Sequence, residues 1–151
     1  MIHVRPYVPD DHAFILGLAP RLAIGMQPWR DLKRWIATVE NWLAESINQH
    51  DRKTTVLIAE DQLGERVGFA TVSHGTHFTG QRQAYIGELA ASEISESQGV
   101  GTALVNACEQ WAREQGYTIL VLSTGAGNTR ALNFYHHLGF QNEDITLAKL
   151  L

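Results

Sequence analysis

The hydrophobic positions of this chain change their period along its length. In the first fifty residues they recur at three- and four-residue spacings, which is typical of amphipathic helices. One helix is predicted to begin at Asp10 and Asp11, whose carboxylates are good N-cap groups. A second is predicted from Leu32 to Ile47, with Trp35 and Trp42 one heptad apart on one face. We interpret this tryptophan stripe as core packing rather than as a partner-binding groove.

From Thr54 onward the period becomes that of extended chain. Residues 55–59 and 66–72 predict a β-hairpin, and residues 83–91 predict a further strand. Strict alternation in that strand places four residues on one face: Ala84, Ile86, Glu88 and Ala90.

Helical and extended patterns alternate in the last third of the chain. Residues 100–115 predict a helix whose apolar stripe includes Cys108, and residues 118–123 predict a buried strand. Residues 129–138 predict the last helix, and residues 140–151 are expected to return as an extended segment. Because no linker or repeat interrupts these elements, residues 1–151 predict a single α/β (α+β) domain.

Composition and charge exclude several classes of protein. With 151 residues, 44% hydrophobic, the chain can bury a core and is not disordered. A net charge of -4 without a basic block argues against a nucleic-acid-binding surface. The lone Cys108 excludes an internal disulfide and a multi-cysteine zinc site, and the pair His74 and His77 lacks a further ligand, so no metal is predicted. No apolar run spans a membrane and no secretory signal is visible, so a cytoplasmic protein is expected.

The most informative local motif is a glycine-containing junction between a strand and a helix. It consists of Ser97, Gln98, Gly99, Val100, Gly101 and Thr102. The first N–H groups of a helix lack internal partners, so such a junction can bind a phosphate or pyrophosphate. A plain helix start fits this motif equally well by itself. The Rossmann fingerprint fails because Leu104 stands at the third glycine position, and the P-loop lysine is missing.

Three segments occur together in the C-terminal half: residues 85–91, 98–104 and 128–140. In this order they resemble the GNAT family of acyl-CoA-dependent N-acetyltransferases, over residues 83–151. The resemblance implies the GNAT fold, a mixed, mostly antiparallel central sheet with helices on both faces. In it, the strands ending near Ala91 and Ser123 would separate and admit acetyl-CoA. The implied reaction is direct transfer of the acetyl group from acetyl-CoA, a cosubstrate, to a primary amine of a small molecule or peptide.

The resemblance also implies roles for individual residues. The main chain of Leu89, Ala90 and Ala91 would pair with the pantetheine arm of acetyl-CoA. The pyrophosphate loop would be formed by Ser97, Gln98, Gly99, Val100, Gly101 and Thr102. Asn128 would hold the cofactor from the last helix. Tyr135 would protonate the departing thiolate, which a phenol with an unperturbed pKa of about 10 can do.

The general base is less clear from the sequence. Glu88 is the best candidate, since burial in an apolar strand would raise its pKa, but it equally fits a structural hydrogen-bond acceptor. Ser123 would position a water, and attack by a neutral amine with water carrying the proton stays open. Trp29 and Arg30 would line an acceptor pocket, although a packing role for Trp29 is the simpler interpretation. The family carries Gln or Arg where this chain has Glu96, which predicts weaker cofactor affinity.

Two other functions compete with an acetyltransferase. A non-catalytic acyl-CoA-binding sensor or partner-binding module on the same fold is motivated by Glu96 and the unclear base; Asn128 and Tyr135 count against it. A nucleotide-binding oxidoreductase is disfavoured by the failed fingerprint. Small amines, polyamines, aminoglycosides, amino acids and protein N-termini all remain open as acceptors, and a homodimer stays open. No nucleic-acid or membrane partner is expected.

Overall fold

The structure is a computed structural model that describes residues 1–95 and 98–151, so Glu96 and the predicted pyrophosphate-loop residue Ser97 lie outside it. The described strands are β1 (His3–Pro6), β2 (Thr54–Glu60), β3 (Arg66–Thr76), β4 (Arg82–Ala91) and β5 (Leu120–Leu122). The described α-helices are α1 (His12–Gly17), α2 (Leu32–Asn48), α3 (Val100–Glu114) and α4 (Thr129–His137). Short 3-10 helices span Pro9–Asp11, Ala19–Ala23 and Glu93–Ser95. The predicted second helix, the hairpin and the last two helices are confirmed.

The five strands form one sheet in the order β1-β2-β3-β4-β5. The first four are antiparallel to their neighbours, and β4 and β5 are parallel. One face of the sheet packs on α3 through Leu104 and Cys108, and the other packs on α1 and α2 through Ile15 and Leu43. The prediction of a mixed, mostly antiparallel sheet with helices on both faces is confirmed, as is the placement of Cys108 in the core.

Strands β4 and β5 pair over only part of their length. Their register runs from Ala84 opposite Leu120 to Ile86 opposite Leu122. On its other side β4 stays paired with β3 as far as Ala91, opposite Gly68. Over residues 87–91 the edge of β4 that faces β5 therefore has no strand partner among the described residues. This is the separation of strands that the sequence resemblance implied.

A β-bulge interrupts β4 just before this open edge. Thr71 of β3 lies opposite Glu88, whereas the next residue, Val72, lies opposite Ile86. Gly87 is thus an extra residue, and a bulge shifts the later side chains to the other face. Ile86 packs in the α3 cluster and Ala90 in the α2 cluster. The prediction that both share one face with Glu88 is wrong for this reason.

The first predicted helix is also shorter than expected. α1 spans His12–Gly17 and gives way to the 3-10 helix Ala19–Ala23, which contains a proline. Asp11 makes no N-cap hydrogen bond with its side chain. Its buried carboxylate instead accepts hydrogen bonds from the guanidinium groups of Arg5, at 2.8 and 2.9 Å, and Arg66, at 2.6 Å. The same carboxylate accepts a hydrogen bond from the Val8 N–H at 2.8 Å, so it binds two cations and caps the 3-10 helix before α1 rather than α1 itself.

The C-terminal segment does not rejoin the sheet. Residues 138–151 form neither helix nor strand, and Ile145 and Leu147 are exposed. The predicted return of this segment is therefore wrong for the structure described. None of the described helices is long and apolar enough to cross a bilayer.

Candidate active site

A cavity of about 1020 Å³ lies where β4 and β5 separate. It is lined by residues of α2 on one side and by residues of α3 and α4 on the other. Ten of the predicted site residues line it: Glu88, Leu89, Ala90, Ala91, Gly99, Val100, Gly101, Thr102, Asn128 and Tyr135. Gln98 does not line the cavity, and its exposed side chain lies 3.5 Å from the carbonyl of Ile94. The sequence-predicted residues thus converge on one cavity.

The main chain of β4 presents an alternating set of groups to this cavity. The Ser92 N–H donates to the carbonyl of Val67 at 2.8 Å, so the main-chain N–H and C=O groups of these two residues point into the space between β4 and β3. In an antiparallel pair the inward direction recurs at every second residue. The main-chain groups of Ala90 therefore point to β3, and those of Leu89 and Ala91 point to the open edge.

The N-terminus of α3 faces the same cavity, and two glycines shape it. Gly99 has φ +82°, in the left-handed region that favours glycine. A Cβ on Gly101 would lie 2.9 Å from the ring of Phe134 in α4, so a larger residue would push α4 away. The N–H groups of the first helical turn have no carbonyl partner within the helix. This end of α3 can therefore bind the oxygens of an anion that approaches the backbone closely.

Asn128 has a structural role at the start of α4. Its side-chain oxygen accepts a hydrogen bond from the Ala131 N–H at 3.1 Å, which caps the helix. Gly25, in the connection between α1 and α2, packs against it so closely that a Cβ there would lie 2.5 Å from Asn128. Asn128 therefore anchors α4 and one wall of the cavity, a function that the sequence pattern alone did not predict.

Glu88 is a carboxylate held almost out of solvent. It is 8% exposed, and its oxygens accept hydrogen bonds from the hydroxyls of Thr71 and of Ser46, the latter at 3.2 and 3.4 Å. Burial raises the pKa of Glu88, and the hydrogen bonds from Thr71 and Ser46 offset that only in part. No cation forms an ion pair with it among the described residues. Glu88 is thus a carboxylate with increased proton affinity on the wall of a cavity.

Tyr135 of α4 lines the cavity as well. Burial, with a smaller contribution from nearby Cys108, raises the pKa of Tyr135 to about 12. The phenol keeps its proton throughout the neutral range and its ring packs edge-on against Phe140, with centroids 5.6 Å apart. Burial also raises the pKa of Cys108 to about 12, which keeps that thiol protonated and unreactive.

An open strand edge, the N-terminus of α3, a buried carboxylate and a protonated phenol thus surround one cavity. Residues 20–140 match the model of the Acetyltransferase (GNAT) family. The chain belongs to this family. All three segments that carried the resemblance lie inside the matched range.

Curated relatives of this GNAT chain include longer proteins. N-acetyltransferase 8F1 from Rattus norvegicus is 38% identical over 142 residues, which cover 85% of this chain and 57% of the relative. N-acetyltransferase 8 from the same organism is 40% identical over 73 residues, covering 48% of this chain and 33% of the relative. The chain therefore spans between a third and three fifths of the length of these relatives.

Solved structures share the GNAT fold over the whole chain. A putative acetyl transferase from Pyrococcus furiosus superposes with a TM-score of 0.78 at 17% identity, covering 100% of both chains. The aminoglycoside N-acetyltransferase AAC(6')-Iy, in complex with CoA, gives a TM-score of 0.70 at 19% identity, covering 100% of this chain and 95% of its own. These likenesses confirm the fold class.

The GNAT site also contains residues that sequence reasoning missed. Arg21 and Arg130 line the cavity, and Arg21 donates to the carbonyl of Ala91 at 3.2 Å. Trp35 and Trp42 line it too. Trp35 also packs against the core cluster of α1 and α2, as predicted, whereas Trp42 is 59% exposed, so the core prediction is wrong for Trp42. A three- and four-residue spacing defines a helix face, but it does not tell whether that face meets a core or a cavity.

The remaining predicted positions lie as follows. Ser123, just beyond β5, lines the cavity. The ring nitrogen Nδ1 of His74 contacts the hydroxyl of Tyr117, and His77 lies 4.0 Å from Glu143. Within residues 1–95 and 98–151, no three His, Cys, Asp or Glu side chains come close enough to hold a metal ion.

Proposed function

We propose that this chain transfers the acetyl group of acetyl-CoA directly to a primary amine. The observation that carries the proposal is the single cavity that joins Glu88 and Tyr135 to the open edge of β4 and the N-terminus of α3. Membership of the GNAT family supports acyl transfer, and the likeness to a solved GNAT structure that contains CoA supports the cosubstrate. The curated relatives are named N-acetyltransferases, which supports an amine acceptor.

The residues present fit acetyl-CoA. The outward-facing main-chain groups of Leu89 and the outward-facing N–H of Ala91 suit the amides of a pantetheine arm laid along β4 as an added strand, while the Ala91 carbonyl accepts from Arg21. The N-terminus of α3 suits a pyrophosphate, because Gly99 and Gly101 place no side chain between its N–H groups and the cavity. When bound, acetyl-CoA supplies an acetyl group activated as a thioester.

Glu88 acts as the proton acceptor for the amine. A primary amine has a pKa of about 8 at a peptide N-terminus and about 10 in an alkylamine, so at neutral pH it is mostly ammonium and must lose a proton before its nitrogen can attack. The raised pKa of Glu88 makes the carboxylate a stronger base than an exposed one. The proton passes to Glu88 either directly or through a water held near Ser123.

Tyr135 acts as the proton donor at the other end of the reaction. The amine nitrogen forms a bond to the acetyl carbon and the carbon–sulfur bond breaks. The phenol proton passes to the departing thiolate, and the proton that the nitrogen then loses returns to the phenolate. With a pKa raised to about 12, the phenol is protonated before each turnover. Proton acceptor and donor are thus two separate groups on the wall of one cavity.

The proposal is tested by measuring CoA thiol release from acetyl-CoA across a panel of primary amines, together with acetyl-CoA binding by calorimetry. We expect release with at least one amine. Binding without release by any amine would favour the non-catalytic acyl-CoA sensor. Binding of NAD but not CoA would revive an oxidoreductase.

The role of Tyr135 is tested by Tyr135→Phe. Loss of the proton donor should lower kcat by about a hundredfold while acetyl-CoA affinity stays within about twofold. Tyr7→Phe is the control, because Tyr7 packs on α1 and α2 away from the cavity. An unchanged kcat in Tyr135→Phe would remove Tyr135 from this role.

A further inference from the structure

A second cavity, of about 410 Å³, adjoins the first. The two share Trp35, Val39 and Trp42 of α2 as lining residues, so the cavities adjoin at these three side chains. The second is also lined by Trp29 and Arg30, from the connection before α2, and by Arg34 of α2. We call these five side chains, Trp29, Arg30, Arg34, Trp35 and Trp42, the tryptophan–arginine groove.

The groove has an apolar wall that is unusually open to solvent. It contains three of the four tryptophans of the chain, and Trp29 is 41% and Trp42 59% exposed. Trp35 is fixed because its indole N–H donates to the carbonyl of Leu22 at 3.2 Å. A clustered, exposed apolar surface next to an active site is typical of a binding groove for an apolar ligand.

The rim of the groove is positively charged. Arg30 and Arg34 are exposed, and neither side chain forms a hydrogen bond or ion pair within the described part of the chain. Asp31, also on the rim, accepts a hydrogen bond from the Arg34 N–H at 2.9 Å and so caps α2. Two guanidinium groups against one carboxylate favour an acidic ligand group, which arginine binds in a bidentate way.

The distance between the two ends of the groove sets the length of its ligand. Ser46 of α2 contacts Glu88, and Arg34 precedes Ser46 by twelve residues. At 1.5 Å per helical residue, Arg34 and Ser46 are about 18 Å apart along the axis of α2, and Trp35 and Trp42 lie between them. An extended peptide covers that length with about five residues. A free α-amino acid is far too short, and a polycation would be repelled by the two arginines.

We propose that the acceptor is the N-terminal amine of a peptide that is apolar in its first residues and acidic about five residues from its amine. This inference rests on the proposed function. The amine lies at Glu88, the apolar side chains lie on the tryptophans, and the acidic groups pair with Arg30 and Arg34. The groove therefore selects the acceptor.

The test compares two C-terminally amidated pentapeptides, Ala-Leu-Phe-Glu-Glu and Ala-Leu-Phe-Lys-Lys. Thiol release from acetyl-CoA gives kcat/KM, and quenching of tryptophan fluorescence gives peptide affinity independently of turnover. We expect kcat/KM and affinity for the acidic peptide to be at least about tenfold higher. In the variant Arg30→Glu with Arg34→Glu that preference should be lost or reversed. Lys33→Glu is the matched control, because this exposed lysine of the same helix turn lines neither cavity.

Three results would overturn the proposal: equal values for both peptides, a preference for the basic peptide, or an equal loss in Lys33→Glu. If the double variant does not fold, the wild-type protein still decides the matter. Its preference for the acidic peptide should fall as salt rises from 50 to 500 mM, since exposed charges are then screened, and a salt-independent ratio would contradict it. Selective binding of the acidic peptide without thiol release from any amine would retain the groove and reject the proposed reaction.

Discussion

Two buried carboxylates of this protein, Asp11 and Glu88, lie in contrasting surroundings. Asp11 is fully buried among cations and accepts hydrogen bonds from Arg5 and Arg66. Glu88 is 8% exposed and accepts hydrogen bonds only from the hydroxyls of Thr71 and Ser46 among the described residues. Burial is therefore similar at the two sites, and the partners differ.

The partners decide the direction in which each pKa moves. Burial alone would raise the pKa of Asp11, but hydrogen bonds from Arg5, the Val8 N–H and Arg66 outweigh it and hold the pKa well below the usual range. At Glu88 burial prevails over two hydroxyls and the pKa is raised. The charged form is favoured at Asp11 and disfavoured at Glu88. A buried carboxylate is thus structural or reactive according to whether a cation is paired with it.

The largest expected effect comes from Glu88→Gln. The amide keeps the size of the side chain but cannot accept a proton, so kcat/KM should fall by about 10² to 10⁴ with any accepted amine. Stability at pH 7 should be unchanged or higher, because the folded protein no longer holds a disfavoured charge. Thiol release and thermal unfolding measure the two effects.

Glu45→Gln is the control for Glu88→Gln, since Glu45 is an exposed carboxylate next to Ser46 on α2. It should change kcat/KM by less than about twofold. A loss of less than about tenfold in Glu88→Gln would instead favour attack by a neutral amine with water as the proton carrier. A clear loss of stability in Glu88→Gln would contradict the raised pKa.

The same exchange at the other carboxylate, Asp11→Asn, should act on stability instead. It removes the carboxylate that Arg5 and Arg66 share, while Arg5 keeps its ion pair with Glu60 at 3.1 Å, and we expect a loss of about 3 kcal/mol in the free energy of unfolding. This loss is at the lower end of the range for a broken buried ion pair, because both guanidinium groups reach solvent. Activity per folded molecule should be retained. Asp10→Asn, at the adjacent exposed carboxylate, should be nearly neutral in urea denaturation.

The effect of Asp11→Asn should depend on pH with a definite sign. A carboxylate whose folded pKa is depressed contributes stability above its unfolded pKa, near 3.9, and loses it as pH falls toward the folded pKa. The difference between wild type and variant should therefore be full at pH 7 and shrink below about pH 4. A difference that persisted unchanged at pH 3 would show that Asp11 does not act through its charge.

The parts of this molecule that follow from local pattern were predictable from the sequence. The periodicity of α2 and α3 predicted both helices, and the β2–β3 hairpin followed from two strand-like runs around a turn. The glycines before and in α3 indicated a junction between a strand and a helix, and both glycines have a geometric reason in the structure. These features depend on residues that are close together in the sequence, so one sequence is enough to predict them.

The rest depends on contacts between residues far apart in the chain. The bulge at Gly87, which directs Glu88 toward α2, arises from the register of β4 against β3. The hydrogen bond between Ser46 and Glu88 joins residues 42 positions apart. The exposure of Trp42 depends on which face of α2 the rest of the fold leaves uncovered. No local spacing encodes these contacts, so the partners of Glu88 and the groove beside it emerged only from the fold.

The smallest expected effect is also the most specific test of the contrast between the two carboxylates. Ser46→Ala removes one hydrogen bond that favours the charged form of Glu88, so the pKa of Glu88 should rise further. The acid limb of kcat/KM against pH should then move to higher pH, while the plateau at high pH is retained. On that limb we expect a loss of about two- to fivefold, the range of a single weak hydrogen bond. Ser46→Thr keeps the hydroxyl and should restore the wild-type profile. A uniform loss at all pH values would instead mean that Ser46 supports the packing of α2 and does not adjust the proton affinity of Glu88.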